Sequence, residues 1–332
     1  MTLNSPLARI LLACALGLTT ATAHAGPPLT THLPLTAHPP ITVPGGPGGF
    51  DWMLVDRAQN RLYATHGGTK TLTVLDLNTG AVRSVDAGAV SGVTVDSADG
   101  KVFTGGADQK VVILDNKTLE KTGEVAVTGP VDDIKYDPEN GLVYAAHDDG
   151  AEDWVINAKT GTLVGTIPLP GAPEAFALDA GAGRLYQNIK PANCVDVIDP
   201  ATNRVIAVWP TLPAKSPHGL VIDDATGRLF SAGGNGVLAV FSLKTGKVVA
   251  SAAIAPGTDQ IAFDPKRRRI YCASRGFVSV VQETASGGVR SLGAVPAPRG
   301  AHTLALDPLT GDVWVSYSDA TASHLQRFTV SR

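Results

Sequence analysis

Seven residues at one repeated position carry most of the chemistry this sequence offers: Asp51, Ser91, Asp132, Glu174, His218, Asp259 and His302. Each stands five residues before an aspartate that closes an apolar segment. The segments are Met53-Leu-Val-Asp56, Val93-Thr-Val-Asp96, Ile134-Lys-Tyr-Asp137, Phe176-Ala-Leu-Asp179, Leu220-Val-Ile-Asp223, Ile261-Ala-Phe-Asp264 and Leu304-Ala-Leu-Asp307. Brought to one height around a channel, these acids and imidazoles form a ligand-binding ring. Imidazole with carboxylate suits Zn, Fe, Mn or Cu, and carboxylates with water suit Ca. His218, His302, Glu174 and Asp259 are the candidate metal ligands. His66 and His147, ten residues past their anchor aspartates, are expected on the same face, with Asp148, Asp149, Lys190, Lys215, Arg275 and Arg299 in nearby loops. Glu174 beside His218 is also a conceivable general acid–base pair. A channel mouth is wet and needs polar residues in any case, but Ser, Thr or Asn would serve that purpose equally well.

The elements that position these residues follow from a repeat. Successive anchor aspartates lie 40, 41, 42, 44, 41 and 43 residues apart. Five residues past each anchor a second apolar segment begins, as in Arg61-Leu-Tyr63, Arg184-Leu-Tyr186 and Arg269-Ile-Tyr271. A third follows, as in Leu72-Thr-Val-Leu-Asp76, then a Thr-Gly turn and a fourth short strand. Four antiparallel strands per forty-odd residues, seven times over, predict an all-β, seven-bladed β-propeller. The anchors read as turn formers, three of them in Asp-Pro pairs, because an Asp side chain accepts backbone N–H bonds in such turns. The last repeat lacks its fourth strand, and Ile41-Thr-Val matches fourth strands elsewhere, so the N-terminal strand is expected to close the last blade. The propeller then spans residues 41–332, preceded by a mobile Pro/Thr-rich leader over 26–40.

Residues 1–25 read as a cleaved signal peptide: Arg9, an apolar stretch over Ile10–Ala23 and an Ala23-His24-Ala25 site. That stretch is shorter than the roughly 20 residues a membrane span needs. A periplasmic or secreted monomer is expected. Of three cysteines, Cys14 falls in the signal, and Cys194 and Cys272 fall in non-adjacent repeats, so both should be free thiols. A net charge of −3 and 5% aromatic residues argue against nucleic acid as a partner. There is no G-x-S-x-G, H-E-x-x-H or P-loop. The glycine runs at Gly45–Gly49 and Gly233–Gly236 sit between strands as turns, and Lys266-Arg267-Arg268-Arg269 reads as a hairpin tip on the opposite face.

The run Arg-Leu-Tyr, then apolar-x-Val-x-Asp, then Thr-Gly-x-Val resembles the YVTN-repeat β-propellers, in particular the YncE-type periplasmic members, over residues 41–332. Asn157, Ser242 and Gln282 depart from the third-strand Asp of that pattern. The resemblance implies a noncatalytic binding or scaffold propeller that uses its channel-mouth face for a small ligand, a divalent metal or a protein partner. It also leaves open a metal-assisted, lactonase-like hydrolase or a dehydrogenase-associated subunit. Seven repeats and four Trp fit neither the usual six-bladed lactonase nor the eight-bladed quinoprotein pattern. Binding of single-stranded DNA, known among YncE-type relatives, would need aromatic platforms in a basic groove.

Overall fold

The structure, a computed structural model, describes residues 34–330. Seven antiparallel sheets follow one another along the chain and form the blades of a propeller; no α-helix occurs among the described residues. Blades 1 to 6 are each four consecutive strands, and their inner strands carry the first six anchor aspartates. The second and third strands of a blade lie between two neighbouring blades and are buried on both faces, as in Leu142–His147 and Glu152–Asn157. The outer strands keep one face in water: Arg204–Pro210 exposes every second residue. The core therefore sits between blades. Phe103, Val111 and Ile113 of blade 2 pack against Ile134, Val143 and Trp154 of blade 3. Each such side chain contributes about 1.5–3 kcal/mol of burial.

All seven anchor aspartates are turn formers. Their Oδ1 atoms accept backbone N–H bonds from two or three residues on, at 2.9 Å from Ala58, Glu139, Ala182, Lys266 and Leu309 and 3.1–3.2 Å from Ala98 and Ala225. Long basic side chains then tie these turns across blades. Arg57 pairs with Asp307, and Lys101 donates to the carbonyls of Ala158 and Lys159. In the basic hairpin, Arg267 pairs with Asp264 and Arg268 with Asp223 and Glu283, while Lys266 donates to Pro308 O. The hairpin is an inter-blade tie.

Blade 7 is shared between the chain ends. Its three inner strands are Thr303–Leu306, Val313–Ser318 and Ser323–Val330. Ile41–Val43 pairs with Ser323–Leu325, the closure expected from the repeat. One expectation is corrected. The leader assigned to 26–40 contains a second closing strand, Leu35–Ala37, which pairs with Phe328–Val330. Leu35 is buried against Phe328 and Val280. Pro39 and Pro40 break the outer strand into two pieces because proline has no N–H to donate to the ladder. The expected signal peptide and residues 26–33 lie outside the described residues. Cys194 and Cys272 are both buried and free.

Candidate functional site

The ring residues are placed by irregular backbone. In blades 3 to 6 the pairing of the first two strands slips between Val131 and Ile134, Pro173 and Phe176, Pro217 and Leu220, and Thr258 and Ile261. Asp132, Glu174, His218 and Asp259 sit inside these bulges, which turn their side chains out of the regular pleat. Asp51, Ser91 and His302 precede the first paired residues of their inner strands. Glycine narrows the mouth. A Cβ on Gly92 would collide with the carbonyl oxygen of Asp132, and one on Gly219 with that of Asp259. Neighbouring inner strands thus approach more closely at ring height than any side chain would permit.

Buried polar side chains behind the ring hold its backbone. Gln260 Oε1 accepts from Met53 N at 3.0 Å and Leu304 N at 3.2 Å, and its Nε2 donates to Met53 O at 2.8 Å. One amide thereby joins blades 6, 7 and 1. Asp133 accepts from Ile134 N and Phe176 N, linking blades 3 and 4. Asn188 donates to the carbonyls of His218 and Gly219 and accepts from the Ser231 hydroxyl.

The ring converges into one electrostatic unit. Burial raises Asp51, Asp132, Glu174 and Asp259 above the ordinary carboxylate range, and mutual repulsion adds to it. Asp132 is lifted well above that range by burial, then by Asp51 and Glu174; Asp259 is pushed up to about 8 by burial, then by the same two. Lys190 Nζ lies 2.9 Å from Glu174 Oε1. Burial works against its charge, but Glu174 outweighs that and raises it. Asp259 and His302 come within 3.6 Å, and ligand atoms of Asp51, Asp259 and His302 all lie within 4.8 Å of one another. A recess of about 220 Å³ beside them is lined by His218, Gly257, Thr258, Asp259 and Arg275.

The expected metal quartet is therefore divided. Asp259 and His302 meet Asp51, whereas Glu174 is engaged by Lys190 and His218 lines the recess. Imidazole plus two carboxylates fits a divalent ion chemically. His66 and His147 do not join the ring. His66 is fully buried, stacked on Phe50 at 4.2 Å and bonded to Ser323 Oγ at 2.9 Å, and burial lowers its pKa. His147 packs on Trp154 at 4.7 Å. Along a strand one residue flips the face, so the channel-facing position is the eleventh past the anchor. There stand Asp148, Lys190 and Arg275, the first two electrostatically coupled to Asp51. Lys215 and Arg299 are exposed outside the cluster. Gln260 and the bulges left no sequence signal beyond a polar residue next to the ring. Two aromatic residues near the surface are both engaged within the fold: Trp52 is half-buried in inter-blade packing, and Tyr317 stacks on His324 at 4.8 Å.

No family model matches the chain, and no curated protein matches it in sequence. Its fold is similar to many solved structures. The WD40 repeats of RRP9 superpose with a TM-score of 0.77 at 10% identity, over 90% of this chain and 100% of that one. The WD40 propeller domain of Doa1 gives 0.71 at 14% identity, over 88% and 97%. Hydrazine synthase of Kuenenia stuttgartiensis gives 0.71 at 15% identity, over 83% and 95%. At these identities the likeness is one of fold: the chain is a seven-bladed propeller, with WD40 propellers among its structural neighbours.

Proposed function

We propose that this protein is a noncatalytic binding propeller of the YVTN, YncE-like kind, exported to the periplasm or beyond, whose channel mouth captures a cationic ligand. One observation carries the reading: Asp51, Asp132, Glu174 and Asp259 converge on one mouth, and among the described residues a single ammonium, that of Lys190, is in direct contact with them, at Glu174. Carboxylates crowded in this way hold protons until a cation replaces them. The N-terminal residues 1–25 support export, and the repeat pattern supports the family. A positively charged ligand gains both Coulomb attraction and relief of repulsion among the acids. Isothermal titration of the purified mature chain with divalent metal ions and with spermidine tests the reading. Saturable binding of either, lost in a D132N/E174Q/D259N variant that still folds, is expected. Absence of binding by every cation overturns it.

A further inference from the structure

Within that mouth, and resting on the cation-binding reading, we propose that Asp51, Asp259 and His302 form a site for one first-row divalent ion such as Zn²⁺ or Mn²⁺, with Gln260 as its positioning residue. The three residues come from blades 1, 6 and 7, the seam where the circle closes. Their ligand atoms already lie within 4.8 Å of one another. An ion about 2.1 Å from each ligand needs separations of roughly 3–4 Å, a contraction of less than 2 Å. The imidazole is oriented for the task. His302 Nδ1 stands 2.7 Å from the carbonyl oxygen of Gly300, so that nitrogen carries the proton. In the neutral ring the lone pair is then on Nε2, the atom 3.6 Å from Asp259 Oδ2. A hydrogen bond of this type, behind the ligating nitrogen, commonly fixes ring and tautomer in metal sites.

Gln260 makes the trio a built site. It follows Asp259 directly, and its side chain holds Met53 and Leu304, each two residues past a ligand. Its own N–H donates to His302 O at 3.2 Å. One buried residue thus clamps all three ligand-bearing strands. Asp259 and His302 keep about a quarter of their side-chain surface in solvent, at 28% and 26%, which gives an ion a way in and leaves water for its remaining positions. One nitrogen and two carboxylates favour a borderline ion over Ca²⁺, which prefers six to eight oxygens.

His218 supplies the internal control. Its Nδ1 is also bonded 2.7 Å from a carbonyl, that of Ser216, but it stands outside the trio. The experiment is equilibrium dialysis of chelator-stripped mature protein with Zn²⁺ and Mn²⁺, metal counted per chain, with Co²⁺ absorption as a spectral readout. One equivalent is expected in the natural protein and in His218→Ala. His302→Ala should lose at least about 100-fold in affinity with unchanged melting temperature. Gln260→Glu should weaken binding by about 10-fold and shift the Co²⁺ bands, since outer-shell changes typically cost 10–100-fold. Equal metal binding by His302→Ala, or loss of it in His218→Ala, overturns the site. Spermidine binding without any metal binding overturns the metal site and leaves the cation-binding mouth standing. Silence from both overturns the two together.

Discussion

Each inner strand of the propeller joins two rings of side chains, and the two rings treat the same residue type in opposite ways. At the turn end all seven positions are Asp, and each carboxylate is consumed locally by backbone N–H groups and by arginines such as Arg57, Arg267 and Arg268. Asp307 is the clearest case: burial pushes its pKa up, yet Arg57, Thr310 and backbone donors bring it below the ordinary value. At the mouth end the positions vary through Asp, Ser, Asp, Glu, His, Asp and His, and the acids are raised. A position filled identically in every repeat meets a demand that every blade has, which is to make a turn. A position that stays polar but varies meets a demand of the whole circle. Charges that are satisfied inside the fold build it, and the crowded ones are those that the proposed function assigns to a cation.

The largest expected effect comes from the residue that holds the mouth without charge. Gln260→Leu leaves Met53 N–H, Met53 C=O and Leu304 N–H buried without partners. At roughly 1–3 kcal/mol for each unsatisfied group, partly relaxed, a loss of about 2–5 kcal/mol is expected in urea unfolding. A loss below about 1 kcal/mol would show that the seam does not depend on this amide.

Next comes the turn ring. Asp223→Ala removes a cap for Ala225 N and leaves Arg268 with Glu283 alone. We expect a destabilisation of about 1–3 kcal/mol and cation binding equal to that of the natural protein. A change in binding with little change in stability would reverse the roles assigned to the two rings.

Much of this division is legible in the sequence, because spacing alone separates the two rings. The forty-residue beat gives the blades, the turn aspartates and the pairing of Ile41–Val43 with the last strand. What escapes is whatever depends on distance across the circle. Whether seven ring residues touch is decided by Gly92 and Gly219, whose missing Cβ atoms let strands close in, and by bulges at Asp132, Glu174, His218 and Asp259. His66 and His147 mislead for a simpler reason: they are one residue away from the channel-facing position, and one residue on a strand is a change of face. Leu35–Ala37 is missed because a Pro/Thr-rich stretch conceals one short strand.

The third test is acidification. Burial raises Asp133 and Asp196 to about 6, and burial, then Asp51 and Glu174, raise Asp259 to about 8. For a group raised on folding, the stabilising proton is fully held below the unfolded value near 3.8 and lost as pH rises through the folded value. Between pH 8 and pH 5 these groups therefore stabilise the fold as pH falls. Buried His66, whose pKa is lowered, opposes this below its unfolded value near 6.5 but is one group against several raised acids. The lowered carboxylates, such as Asp76, Asp115 and Asp319, oppose it only below about pH 4. The melting temperature of the metal-free protein should thus rise from pH 8 to pH 5 and fall at lower pH. A steady fall from pH 8 downward would mean that the buried acids are ionised and compensated.

The smallest effect has the opposite sign to the turn-ring substitution and so sharpens the comparison most. Asp132 is the ring acid hemmed in by Asp51, Glu174, Asp133 and Asp148, and burial, then their charges, favour its protonated form. Asn has nearly the same shape and cannot ionise, so it removes the charge that Asp132 acquires once it gives up that proton. Asp132→Asn should therefore stabilise the metal-free fold, by about 0.5–1 kcal/mol, within the range of single favourable substitutions. In a chain of this size that is a rise of roughly 1–4 °C at pH 8. The gain should shrink as pH falls and Asp132 takes up its proton. Spermidine affinity should drop at the same time, because the charge that destabilises the metal-free mouth is the charge that would attract the polyamine. A loss of stability at pH 8 would place Asp132 with the turn aspartates, as a charge the fold itself requires.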